Sequence, residues 1–291
     1  MIILNADDFA LSDEVDAAVI DLACRGRLSA ASVMANQPRW PAAAAALLPV
    51  ADRIALGLHL TLTEGAALSP EARADLADAS GHLPPLGRVL MRALTARISP
   101  STVAAEARAQ LSAFADALGR LPDIIDGHQH VHVLPGVRDG LIAAIADFEW
   151  PTPPLIRTPS DRQGSHEPPR DGLASLPKRR LIAALAGGFR RRLAAAGLPT
   201  NDTFAGFSSF HPGPGVATEL ASALAPRGAG RHIVMCHPAV PAPCGHACAD
   251  PLAPRRADEY RALLAMPDLP ARLWRPPPTP GRPLDWPEAA A

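Results

Sequence analysis

The chain switches repeatedly between two hydrophobic periods. Residues 2–5 form a short apolar run ending in polar residues, the pattern of a buried strand. After Ser12, the residues Val15, Ala18, Val19, Leu22 and Ala23 recur at helical spacing. They predict an amphipathic helix stopped by Gly26. Strand patterns follow at 28–34 and 54–62, with a short helix over 41–48 between them. Residues 68–97 contain prolines and lack a clear period, which predicts an irregular insertion over one end of the fold. Ser99 before Pro100 marks a helix start, Val103, Ala107, Leu111, Phe114 and Leu118 line one face, and Gly119 closes it. Further strands are predicted at 123–126, 155–157, 203–207 and 232–236. They alternate with helices at 137–148, 176–195, 217–224 and 257–266. Seven strands alternating with helices predict a parallel α/β fold, and both a closed or nearly closed barrel and an open doubly wound sheet fit. The pattern places one domain at 1–266 and a proline-rich, largely irregular tail at 267–291.

Composition narrows the function classes. The 291 residues carry 28 basic and 29 acidic side chains, a formal charge of −1, which excludes the basic excess of a nucleic-acid binder. Basic residues are nearly all arginine, with Lys178 the only lysine. Four cysteines are too few for a disulfide scaffold. No apolar run reaches the roughly 18 residues of a membrane span, and the opening Met-Ile-Ile-Leu-Asn-Ala lacks a basic n-region. The expectation is a cytoplasmic protein. No Gly-x-Gly-x-x-Gly follows a strand and no Walker A motif occurs, so a nucleotide site has no support.

In parallel α/β folds functional groups collect at the carboxyl ends of strands, and the unusual polar residues fall there. Asp7 and Asp8 follow the first strand, where they are either a turn and helix cap or one metal ligand plus one general base. His59 lies late in the third strand, a satisfied core histidine or a ligand. His128, His130 and His132 stand at i, i+2 and i+4, able to share one face of an extended segment. Two imidazoles and a carboxylate leave open positions on a divalent metal, the ligand set of a hydrolytic site. Such ligands suit Zn, Mn, Fe or Co better than Mg. Arg157 can pair with Asp7, and His237, at a strand end before Pro238, can donate a proton to a leaving group. Cys244, His246 and Cys248 match no common zinc module and read as an unconstrained loop.

Four segments together, Asn5–Ser12, Gly57–Gly65, Asp126–His132 and Met235–Ala239, resemble the YdjC-like carbohydrate deacetylases, in the family's order. The family includes chitooligosaccharide and hopanoid-associated deacetylases. The resemblance implies a distorted, TIM-like (β/α) barrel of about seven parallel strands, often dimeric, that removes N-acetyl groups from amino sugars. It implies a divalent metal, usually Mg²⁺, held by Asp8, His59 and His128. Asp7 matches the catalytic base and His237 the general acid, and Arg157 matches an arginine near the base. Ala10 stands where the family commonly has Gly, and Gln129 where a basic residue or His is frequent. Residues 68–97, 160–170 and the loop after His237 match no motif, and these are the segments expected to select the substrate.

Overall fold

The computed structural model describes residues 1–160, 176–208, 210–226, 228, 230–241, 250–277 and 286. Among them seven strands form one parallel sheet: β1 (Ile2–Phe9), β2 (Ala30–Val33), β3 (Ala55–Leu60), β4 (Ile124–Gly127), β5 (Leu155–Ile156), β6 (Thr203–Ala205) and β7 (His232–Cys236). Their spatial order is β5-β4-β3-β2-β1-β7-β6. The sheet curls until its edges meet, because Ile156 N–H donates to Pro199 O at 2.9 Å and pairs with Thr200 just ahead of β6. The result is a distorted (β/α) barrel, in place of the open doubly wound alternative.

The helices follow the apolar stripes. α1 (Asp13–Cys24) is capped by Ser12, whose hydroxyl accepts from Val15 N–H, and Val15, Val19 and Leu22 face the sheet. α2 (Trp40–Leu47) precedes β3. Residues 68–97 correct the expectation of irregular chain: they hold α3 (Pro70–Asp75) and α4 (Leu86–Leu94). The prolines here are helix-entry residues rather than breakers. Ser69 accepts from Ala72 N–H with Pro70 at the first position, the arrangement Ser99 and Pro100 give to α5 (Pro100–Leu118). Beyond α5 come α6 (Val137–Ala146), α7 (Leu176–Ala195), α8 (Gly215–Ala223), α9 (Ala253–Ala265) and α10 (Leu269–Arg272). No helix of the described residues is long and apolar enough to cross a membrane.

Side chains of a strand alternate faces, so residues two apart share the barrel interior. The lower interior layer is apolar and holds Ile3, Ala30, Ala55, Ile124, Leu155 and Ile233. Trp274 and Trp286 seal this end, stacked at 4.6 Å, and Trp274 N–H donates to Ile2 O. The chain beyond 266 therefore supplies core side chains. Trp274→Ala should cost about 3–5 kcal/mol of stability, read by denaturant unfolding, because it opens a cavity under the barrel. Two and four residues further along the same strands the interior turns polar: Asn5, Asp7, Ser32, His59, Asp126 and Arg157.

Candidate metal and catalytic centre

The six residues singled out from the sequence converge at the carboxyl end of the barrel. Asp7 and Asp8 occupy the end of β1, where its register with β2 breaks between Ala6 and Phe9. Asp8 takes φ +65° and Ala10 φ +76°, left-handed values that L-residues adopt at a cost. The family's common glycine at position 10 meets that requirement without strain. The bulge also changes where the two side chains point. Adjacent strand residues ordinarily point to opposite sides, yet here both carboxylates reach one imidazole. His59 Nε2 lies 3.2 Å from Asp8 Oδ1 and 4.0 Å from Asp7 Oδ2.

His59 is oriented from behind. The parallel register sets it beside Asp126, and its Nδ1 meets Asp126 Oδ1 at 2.6 Å. Asp126 Oδ2 in turn accepts from Ser32 Oγ at 2.7 Å and lies 3.1 Å from Arg157 Nη1. Gly57 makes this packing possible, since a Cβ there would stand 2.9 Å from Ser32 Oγ. His128 completes the cluster, with Nδ1 2.9 Å from Asp8 Oδ1. Asp8, His59 and His128 thus offer three ligand atoms within 4.8 Å of one another.

Asp7 is clamped by the fully buried Arg157, whose Nη1 and Nη2 donate to its two oxygens at 2.6 and 2.8 Å. Burial pushes the Asp7 pKa upward, but the charges of Arg157, His59 and His237 outweigh it and hold the carboxyl far below its ordinary range. Asp8 is held low in the same way, by Arg256 and His128 against burial. Burial alone would lower the His59 pKa, whereas Asp126 and Asp7 push it up to about 10. His237 Nε2 stands 3.9 Å from Asp7 Oδ2, and burial lowers its pKa against the opposing pull of Asp8 and Asp7. Its backbone N–H is fixed by Glu259 at 2.6 Å.

The other two histidines of the triplet go elsewhere. Gln129 and His130 both adopt left-handed backbone, so residues 128–133 form a tight 3-10 segment and not an extended one. His130 lies edge-on to Phe207 with ring centres 5.1 Å apart. His132 is buried beneath Gly127, donates from Nε2 to Arg157 O at 2.9 Å, and has its pKa lowered to about 4 by burial and Arg157. Cys244, His246, Cys248 and most of 160–170 lie outside the described residues.

Arg256 was not legible in the sequence. It enters from α9, donates to Asp8 Oδ2 at 2.7 Å and pairs with Asp250. One arginine among many on a charged helix gives no signal of a contact 248 residues away. A second set of clustered donors, Asp7, His59 and Asp126, already has Arg157 between its carboxylates and is not a metal centre. The Asp8–His59–His128 set fits a cation. Three buried carboxylates (Asp7, Asp8, Asp126) face two buried guanidinium groups (Arg157, Arg256), and the excess negative charge draws a proton, or a metal, to His59.

Above this cluster opens a cavity of about 270 Å³, walled by Leu86, Ile182, Phe207, Phe210 and Leu252. A parallel barrel with an Asp–His–His donor set beside an arginine-clamped carboxylate is a candidate metal site of the kind hydrolases use. The chain belongs to the YdjC-like family, whose profile, described as YdjC-like protein, matches residues 1–270. A mouse protein named carbohydrate deacetylase is 33% identical over 218 residues, covering 72% of this chain and 66% of its own. A chitooligosaccharide deacetylase of Yersinia pestis is 35% identical over 147 residues, covering 50% of this chain and 55% of its own. The matched region thus spans between about half and two thirds of these two relatives. An Enterococcus faecalis crystal structure, provisionally named a cellobiose-phosphate cleavage protein, shares the fold with a TM-score of 0.67 at 19% identity, covering 93% of this chain and 92% of that one.

Proposed function

We propose that the protein is a metal-dependent carbohydrate N-deacetylase acting on an N-acetylated amino sugar. One observation carries the reading: the Asp8–His59–His128 donor set lies beside the arginine-clamped Asp7 and His237 at the floor of one cavity. The names of the mouse and Yersinia relatives support the substrate class. A divalent ion held by these three residues would polarise the acetamide carbonyl and acidify water. The donor chemistry favours Zn or a similar metal, and the family resemblance favours Mg.

Asp7 accepts the proton of the attacking water as the new C–O bond forms. Arg157 keeps Asp7 too acidic to retain that proton. His237, whose Nε2 lies 3.9 Å from Asp7 Oδ2, takes up that proton and delivers it to the sugar nitrogen as the C–N bond breaks. The products are acetate and a free amino sugar. Phe207 and Phe210 line the cavity and supply apolar surface for the sugar. A phosphoesterase would want cations at the cavity, and among the described residues none of its lining is Lys or Arg. A homodimer belongs to this reading on the resemblance alone.

The test is acetate release from N-acetylglucosamine oligomers and glycolipids, using metal-free protein reconstituted with Mg, Zn, Mn or Co. Release should require metal, vanish with chelator, and be absent in His59→Ala and His128→Ala. Hydrolysis of phosphate esters in place of acetate release would move the assignment to a phosphoesterase. Sugar binding without turnover would make the chain a binding protein on the same fold.

A further inference from the structure

The loop after β3 is built to present one acidic side chain to the back of His128. Glu64 Oε2 lies 3.3 Å from His128 Nε2, although the Glu64 side chain is 46% exposed. Its backbone is fixed on several sides. Asn36 Nδ2 donates to Glu64 O at 2.8 Å and to Ala66 O at 3.2 Å. Gly65 takes φ +76°, and a Cβ there would meet the Asn36 and Gln37 side-chain nitrogens at 2.8 Å, so the turn admits only glycine without rearrangement. The loop ends are pinned to α5. Gln110 donates to Thr61 O and accepts from Thr61 N–H, and the fully buried Glu106 accepts from Leu68 and Ser69 N–H. A surface acid held this firmly has lost its backbone freedom before any ligand arrives.

The two imidazoles of the cluster are then arranged alike. His59 turns Nε2 to Asp8 Oδ1 and Nδ1 to Asp126. His128 turns Nδ1 to Asp8 Oδ1 and Nε2 to Glu64. We propose that Glu64 is a positioning residue: its carboxylate accepts a hydrogen bond from His128 Nε2–H and so fixes the tautomer and ring plane that leave Nδ1 as the metal-binding atom. Carboxylates behind metal-bound histidines raise ligand basicity as well as orienting the ring. Asp126 does this from the dry barrel interior, and Glu64 does it from the rim. The inference rests on the metal-site reading above.

The test measures metal binding, with activity as a separate readout. Metal-free full-length protein is titrated with Co(II) and Zn(II) against a competing chelator, as wild type, Glu64→Gln and Glu64→Ala. Glu64→Ala should bind roughly 10–100-fold more weakly and change the visible Co(II) spectrum. Glu64→Gln, whose amide oxygen still accepts a hydrogen bond, should recover most of the lost affinity. Because the side chain is exposed, metal-free thermal unfolding should stay at the wild-type value. Wild-type affinity and spectrum in Glu64→Ala would overturn the proposal. So would unchanged metal affinity with a raised KM for the sugar, which would make Glu64 a sugar contact. A wild-type protein that binds neither ion removes the metal reading itself, a failure visible before any variant is compared.

Discussion

Asp7→Asn should lower kcat for acetate release by about 10²–10⁴-fold, the contribution of a positioned general base. Metal affinity should stay near that of the wild type, because the proposed donor atoms belong to Asp8, His59 and His128. The amide is close in shape to the carboxylate, so Arg157 keeps an acceptor at position 7 and a charge partner in Asp126. Steady-state kinetics paired with metal titration separates the two effects. Near wild-type turnover in Asp7→Asn would remove Asp7 as the base. Parallel loss of metal would show instead that the two adjacent carboxylates share the ligand role, which their common approach to His59 makes a real alternative.

Arg157→Met should destabilise the protein strongly. It strands Asp7 and Asp126, two fully buried carboxylates, without the guanidinium that bridges them. Removing one partner of a buried ion pair costs about 3–5 kcal/mol, which lowers Tm by on the order of 10 °C in a chain this size. The deficit should depend on pH. In the wild type the folded Asp7 pKa lies below its ordinary 3.8, so its contribution is full above that value and is lost as pH falls through the folded pKa. In Arg157→Met burial is no longer offset by the arginine, and the Asp7 pKa rises. A protonated carboxyl tolerates burial, so the gap between variant and wild type should be widest at neutral pH and narrow as pH falls toward 4. A gap that stays constant from pH 7 to pH 4 would mean that Arg157 stabilises by packing alone.

Much of the architecture was legible because it depends on local periodicity. Each predicted strand has an observed counterpart, and Ser12, Ser99 and Gly119 cap helices as their chemistry dictates. The error at 68–97 came from weighing Pro70 and Pro85 as breakers when each sits at a helix entrance. The histidine triplet misled for a related reason. Its spacing suits an extended segment, but the left-handed backbone at Gln129 and His130 sends the three rings to three surroundings. That choice follows from what packs beneath, where His132 fills the space that Gly127 leaves and bonds Arg157 O.

By itself the sequence determined the alternation of strands and helices, the collection of Asp7, Asp8, His59, His128, Arg157 and His237 at strand ends, and the family. These are properties of short-range pattern and of unusual residues in ordinary places. The tertiary structure decided what each group faces. It closed the sheet at Ile156 and Thr200, turned Asp7 and Asp8 toward one imidazole through a backbone bulge, and brought Arg256 from α9 onto Asp8. Charge pairing in a buried site is set by distance through space, and a guanidinium 248 residues from its carboxylate leaves no trace in local spacing.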